Sequence, residues 1–433
     1  MKGKRMRVLF VALPERSHVY CMTPLAWALR TDGHQVRVAC SPMTTEVVTA
    51  TGLPAVPLGT DPIVHESMRS TPESQENEFV SWSETDPERT SWEELYFRYQ
   101  AAVEAAFSLY AEPLLADLVD YTRSWRPDLV VWDTLAFAGP VAAASVGAAH
   151  VRILWGADVW AGMRAAFRHH HDAQPPERRA DPLAEWLARI GAPYGVEFTE
   201  ELILGERTLD PMPPSLRLDT GVQRLPLRYV PFNGPTVLPD WLHEPAARPR
   251  VCLTLGTSNI EAYGTDYVSI EKVLAELADL DAEVIAAVTP EQRERLVTVP
   301  DNARIVDSIA LDLLLPSCSA IIHHGGFGSY ATALAHGVPQ LVVSTAVSDH
   351  IERGRRLARS GAGVFLRTSE TTPVLADRLR GLLADPGARR AAELLRDEVA
   401  AMPSPNAVVA RLEDLVAARR SPTSDSAFSQ ASS

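Results

Sequence analysis

His323, His324, Gly325, Gly326, Phe327, Gly328 and Ser329 form one short run in which histidines, glycines and a hydroxyl crowd together. The run follows an apolar segment, Ala320-Ile321-Ile322, of the kind that makes a buried parallel strand, and a helical pattern begins at Gly326. Glycines at a strand-to-helix turn let backbone N–H groups approach a ligand, and the helix N-terminus adds partial positive charge. The spacing predicts a phosphate cradle, with His324 as a charge-capable donor and Ser329 supplying a hydroxyl from the first turn. A plain tight turn would use the same glycines. A second glycine-bearing strand end, Gly256-Thr257-Ser258, favours the ligand, because two strand ends of one sheet converge on one crevice. No Lys follows the glycines as in a Walker A loop, and no G-x-G-x-x-G follows the first strand, which speaks against a nicotinamide site there. Asp349, one short strand later, can accept hydrogen bonds from sugar hydroxyls, cap the next helix, or do both.

The first half carries a second constellation. His18 lies in the loop expected after an opening strand, Asp133 ends the run DLVVWD, and both fall at the carboxyl edge of one sheet. A histidine oriented by a carboxylate can take a proton from an acceptor hydroxyl, typically worth about 10²–10⁴ in rate. A lone loop histidine is otherwise merely solvated. Tyr20 shares the loop and is taken with Trp155 and Trp160 as acceptor-binding, alongside Met163 and Phe167; an apolar helical stripe is more often a core feature. His169-His170-His171 resembles a metal cluster, yet successive helical residues point about 100° apart, so three cannot share one ion. They are expected at the surface, and no metal is expected.

These residues need strands and helices to hold them. The pattern predicts a strand at 7–13, a helix at 24–31 closed by Gly33, strands at 35–40 and 54–58, a long helix at 91–123 and a strand at 128–132. The second half begins again with VCLTLGTS, a helix near 266–280, strands at 283–288 and 303–306, then SAIIHH, a helix from 326, LVVS and helices to about 420. The fold class is therefore α/β, with two doubly wound, Rossmann-like domains facing a central cleft. Residues 1–231 and 250–420 form the domains, 232–249 a Pro-rich joint, and 421–433 a tail expected to be disordered. The polar stretch 60–90 is either functional or disordered; Trp82 within it and Trp92 just beyond it favour a contact surface, with a lid over the acceptor as the alternative.

Composition sets the outer limits. At 433 residues, two domains are expected, and 46% hydrophobic with 22% charged residues is an ordinary globular balance. A net charge of -14 argues against nucleic acid or an anionic membrane as partner, so an anionic ligand must be held by local dipoles and few bases. The four cysteines are scattered, and three of them sit in or beside apolar runs and read as small buried side chains. No apolar run spans a bilayer and no cleavage site follows the basic start, so a cytoplasmic location is expected.

HHGGFGSYATALAHGVPQ resembles the donor-binding signature of the GT-B glycosyltransferases that decorate macrolides, anthracyclines and other polyketides in actinomycetes. The resemblance runs through RVLFVALPERSHVYCMTPLAWALRTDGHQVRV, PLGTD, RYVPFNGPTVLPDWL and RPRVCLTLGTS, almost the whole chain. It implies an inverting displacement on a nucleotide sugar, a thymidine-diphosphate deoxysugar as co-substrate, no cofactor, and a small polyketide acceptor held by the N-terminal domain. It assigns the base role to His18 with Asp133 as orienter. Donor contacts fall on Gly256, Thr257, Ser258, Ile309, His324, Gly325, Gly326, Gly328, Ser329, Asp349 and His350. SHVYCMTPLAWAL and WSETDPERTSWEEL look like the subgroup that moves amino-deoxysugars with a cytochrome-like activator protein, which would dock near 60–110; a homodimer is also compatible. Three positions depart from the pattern: His350 replaces the usual Gln, Ser308-Ile309-Ala310 replaces the usual Trp-Pro or Val-Pro, and Phe327 replaces a small residue or Pro. A non-catalytic sugar-nucleotide-binding subunit could dispense with His18. An epimerase would need more carboxylates around the donor than Asp349.

Overall fold

The computed structural model describes residues 5–63, 84–257, 266, 268–307, 309–344, 347–370 and 374–420. Ser258, Trp82, most of the 60–90 stretch and the expected tail lie outside the described residues.

Two wholly parallel sheets make up the fold. The first runs in the order β3-β2-β1-β4-β5-β6-β7, with β1 Arg7–Val11, β2 Gln35–Cys40, β3 Ala55–Pro57, β4 Leu129–Asp133, β5 Ala149–Ile153, β6 Arg207–Asp210 and β7 Arg224–Pro226. The second runs β10-β9-β8-β11-β12-β13, with β8 Arg250–Thr254, β9 Glu283–Val288, β10 Ala303–Asp307, β11 Ala320–His323, β12 Gln340–Ser344 and β13 Gly363–Arg367. The central strands are continuous apolar runs because helices cover both faces. Leu9 and Val11 join Val130 and Trp132 under the helices Ser108–Trp125 and Ala138–Ala144. Val8, Phe10, Leu129 and Val131 pack on the other face with Leu25 and Leu29 of the helix Arg16–Thr31. Leu412 and Val416 of the helix Pro405–Arg420 belong to this same cluster, so the chain returns to the first sheet after completing the second.

In each sheet the chain winds outward from a central strand and then returns to its other side, putting a switch point between β1 and β4 and another between β8 and β11. Crevices at the carboxyl ends of such strands are where ligands bind in open α/β sheets. His18 follows β1, Asp133 ends β4, Gly256 and Thr257 follow β8, and His324 follows β11.

Two helices differ from expectation. The first begins at Arg16 rather than near residue 24, so His18 sits in its first turn and not in a loop. Pro24 reads as a start signal because it has no N–H to donate, but burial of Val19, Met22, Leu25, Ala26 and Leu29 carries the helix through it. The helix expected at 91–123 is Trp92–Ala102, a π-helical turn Val103–Phe107, and Ser108–Trp125. Ser91 caps its start by accepting from Glu94 N. At the end of this wider turn, Phe107 packs on Phe137 at 4.9 Å and Trp160 at 5.5 Å. Among the described residues, no helix is long and apolar enough to cross a membrane.

Candidate active site

His18 and Asp133 meet across the first switch point. Nδ1 of His18 lies 2.7 Å from Asp133 Oδ2, with 13% of the histidine side chain exposed against 1% of the carboxylate. An ionised carboxylate only accepts, so Nδ1 carries the proton and Nε2 keeps its lone pair. Asp133 Oδ1 accepts from Leu135 N at 3.1 Å and from Trp155 Nε1 at 3.2 Å. The Trp155 ring lies against the imidazole, 4.6 Å between centroids. Burial lowers the His18 pKa, but the charge and hydrogen bond of Asp133, with Glu15 adding, hold it above the ordinary 6.5. The pair can therefore accept a proton from a hydroxyl and stabilise the imidazolium that results.

The cradle stands at the second switch point. Gly326 is the N-cap of the helix Phe327–His336 and no side chain caps it. His323 is scaffold: its Nδ1 accepts from Gly325 N at 3.1 Å, its Nε2 donates to Gln340 Oε1 at 2.8 Å, and burial pushes its pKa down to about 3. His324 faces the crevice. A Cβ on Gly256 would stand 2.6 Å from His324 Cε1, and one on Gly326 would stand 2.7 Å from Nε2. Those glycines thus make room for an imidazole as well as for a ligand. Burial and then the charge of Arg353 push His324 down to about 4, so with no anion bound it is neutral near pH 7. Its Nδ1 is buried without a partner. Ser329 is buried in the first turn, Thr257 is half-buried, and Gly328 has open space where a Cβ would go.

Asp349 is the N-cap of the helix His350–Arg359, although its side chain makes no cap hydrogen bond, and His350 is the first helical residue. His350 Nδ1 lies 3.1 Å from Ser344 Oγ, and its ring stands edge-on to His324 at 5.8 Å. Burial, Arg353 and the neighbouring histidines hold His350 far below the usual histidine range. Asp349 is 1% exposed and pairs through both oxygens with Arg353, Oδ1 lying 2.8 Å from Nη2. Asp349 Oδ2 also accepts from Ala157 N at 2.6 Å, a residue that follows β5 of the first sheet. The Arg353 guanidinium lies over the Phe327 and Tyr330 rings at 5.6 and 5.1 Å. Sequence reasoning missed Arg353; its i,i+4 spacing from Asp349 is the signal that could have found it.

The other candidates scatter. Trp155 stands in the loop after β5 beside His18, not on an apolar helix. Trp160 is half-buried against the first core, where Met163 and Phe167 are fully buried. Tyr20 turns to the interdomain joint, edge-on to Phe232 at 5.1 Å and close enough to Gly234 to leave no room for a Cβ there. Ile309 packs beside Cys252 and Ile285 below the second sheet. Trp92 is not a loose surface aromatic, since it packs on Phe167 at 5.2 Å and His171 at 5.9 Å. His170 is bonded to Pro87 O, 3.1 Å away, and His171 lies 3.1 Å from Asp172. Among the described residues, the one group with metal-like spacing is Asp32, His34 and Glu413. His34 Nδ1 accepts from Met6 N at 3.1 Å, so its Nε2 carries the proton and cannot ligate.

Comparison with known proteins identifies the family and the fold. The Erythromycin biosynthesis protein CIII-like N-terminal domain matches residues 27–256 and the corresponding C-terminal domain matches residues 271–415. The chain is 46% identical to the 10-deoxymethynolide desosaminyltransferase of Streptomyces venezuelae, over 97% of this chain and 99% of that protein. It is 43% identical to the aclacinomycin-T 2-deoxy-L-fucose transferase of Streptomyces galilaeus, over 96% and 97%. Among solved structures, the glycosyltransferase VinC in complex with dTDP superimposes with a TM-score of 0.85 at 40% identity, covering 95% of this chain and all of that one. With both domains matched and two parallel-sheet halves arranged as in GT-B enzymes, the chain belongs to the erythromycin biosynthesis protein CIII-like family of glycosyltransferases.

Proposed function

We propose that the chain transfers a deoxysugar, specifically an amino-deoxysugar, from thymidine diphosphate to a hydroxyl of a polyketide-type aglycone in the cytoplasm, with inversion at the anomeric carbon. The observation that carries the reading is the His18–Asp133 pair at one switch point, tied to a glycine-lined cradle at the other. His18 Nε2 takes the proton of the acceptor hydroxyl as its oxygen attacks the anomeric carbon. The bond from that carbon to the diphosphate breaks, and its electron pair leaves with the phosphate oxygen. The N-terminus of the helix Phe327–His336, His324 and Ser329 meet the negative charge of the diphosphate. In this reading residues 1–231 hold the acceptor and residues 250–420 supply the donor. Desosamine and 2-deoxyfucose transferases among the relatives support a deoxysugar, and the solved dTDP complex supports thymidine.

The test is a panel of thymidine- and uridine-diphosphate sugars offered with polyketide aglycones and read by mass spectrometry. Glycosylated aglycone is expected from thymidine-diphosphate deoxysugars. Donor bound but never turned over would mean a non-catalytic binding subunit, and an altered sugar released without acceptor would mean an epimerase.

The same reading includes a cytochrome-like activator docking near 60–110. Its support is the resemblance of that stretch to the partner-requiring subgroup and Phe97, which stands 59% exposed on the helix Trp92–Ala102. Full turnover by the isolated chain, equal to that of the co-expressed pair, refutes it.

A further inference from the structure

The segment Leu154-Trp155-Gly156-Ala157 leaves β5 and touches both halves of the site within three residues. Trp155 donates its indole N–H to Asp133 Oδ1, and Ala157 donates its backbone N–H to Asp349 Oδ2. Gly156 lies between them, and a methyl there would overlap the Asp349 carboxylate. Its backbone is outside the left-handed region, so the requirement for glycine comes from this contact. The opposite side is built to match. Ser348 holds a left-handed φ of 46°, which a non-glycine residue adopts only when its surroundings enforce it. The turn delivers Asp349 into the first half, and Arg353 takes the remaining lone pairs of the carboxylate from behind, itself 1% exposed.

We propose that Asp349, backed by Arg353, is an interdomain latch that seats the 154–157 segment and through Trp155 positions the His18–Asp133 pair. The latch joins the donor-side crevice to the base through one hydrogen bond that exists only when the two halves are closed on each other, Ala157 N to Asp349 Oδ2, and through the Trp155–Asp133 bond within the first half. Asp349, Arg353 and Gly156 are positioning residues in this scheme. The inference rests on His18 acting as the base. It adds to the sugar contact expected of Asp349 a separate duty, because in this closed arrangement both carboxylate oxygens are already engaged.

The decisive variant is Gly156→Ala in the full chain. Three measurements are read together: hydrogen exchange at the Ala157 amide, calorimetry with thymidine diphosphate, and kcat and KM for donor and acceptor. In the parent protein the Ala157 amide should exchange at least about tenfold more slowly than in the variant. The variant's kcat should fall about 10- to 100-fold, since displacements of about 1 Å carry such costs, while thymidine diphosphate affinity stays intact. Trp155→Phe keeps the ring and the Ala157 contact but removes the indole donor. It should lower kcat with the amide still protected, and it answers the question if Gly156→Ala does not fold. A Gly156→Ala protein with parental kcat, or with only a raised donor KM, overturns the latch. So does an Ala157 amide that exchanges freely in the parent. Failure of the base itself is separable: His18→Ala would then turn over normally while the Ala157 amide remained protected.

Discussion

Asp133→Asn is the most informative single substitution, because the surrounding donors dictate which way the amide must point. Leu135 N and Trp155 Nε1 both donate to Oδ1, at 3.1 and 3.2 Å. An asparagine satisfies them only with its carbonyl oxygen in that position, which leaves the NH₂ group where Oδ2 stood, 2.7 Å from His18 Nδ1. The NH₂ donates, so Nδ1 must accept, and the proton moves to Nε2. The base is then occupied. Loss of general-base catalysis is worth about 10²–10⁴ in kcat, or about 2.7–5.4 kcal/mol of barrier. Inversion of the tautomer in a Ser-His-Asp triad costs about 10⁴, the upper end of that range. Asp133→Ala leaves the imidazole free to choose its tautomer and should be less impaired than Asp133→Asn, although it removes more atoms. The assay is steady-state turnover with saturating donor and acceptor, measured across pH. In the parent, activity should rise with pH through a value above 6.5, because the active base is neutral and its pKa is raised. In Asp133→Asn, burial acts without the opposing charge and the acid limb should move down. Asp133→Asn turning over within about threefold of the parent, or Asp133→Ala slower than Asp133→Asn, would refute the reasoning.

His324→Ala should weaken thymidine diphosphate binding only about 2- to 10-fold, the worth of a neutral hydrogen bond, and calorimetry should find the same ratio from about pH 6 to 8. A ratio growing steeply toward pH 6 would mean that the imidazole is charged there. His323, His324 and His350 all have lowered pKa values, so the stability they contribute is present above the unfolded histidine value of 6.5 and is lost as pH falls toward their folded values. Urea unfolding should show the fall from about pH 6.5 down to about 3, and it should be shallower in His324→Ala. Leu412→Ala should cost about 2–5 kcal/mol in unfolding free energy, since Leu412 is fully buried in the first sheet's core; a cost below about 1 kcal/mol would mean that the last helix is not part of that core.

The parts legible in the sequence are those where a short run determines its own structure. VCLTLGTS, SAIIHH and DLVVWD are apolar enough to be only buried strands, and the residues at their carboxyl ends must emerge at one edge. That places Asp133, Gly256 and His324 without any knowledge of packing. Pro24 misleads because a residue that starts helices is carried inside one by the burial around it. Strands β5 to β7 are not legible, since AHVRI mixes a histidine and an arginine into a buried strand, where His150 and Arg152 are 2% and 0% exposed. Arg152 is accommodated by Asp158 and Thr208, partners 6 and 56 residues away that no local pattern announces. The donations to Asp133 from Trp155 and to Asp349 from Ala157 are of the same kind, made by an irregular segment whose shape depends on both sheets.

The return of the helix Pro405–Arg420 to the first sheet bears on how the protein is made. Leu412 and Val416 fill the same cluster as Leu25, Leu29 and the inner face of β1. During synthesis, the first half therefore emerges complete in strands but with an apolar strip of its opening helix still uncovered. That strip stays bare until residues 405–420 leave the ribosome, by which time the second half has had time to form. Folding of the first half is thus finished last, by a segment encoded far from it. A ribosome stalled anywhere in the second half would hold a sticky, chaperone-dependent intermediate rather than a finished domain.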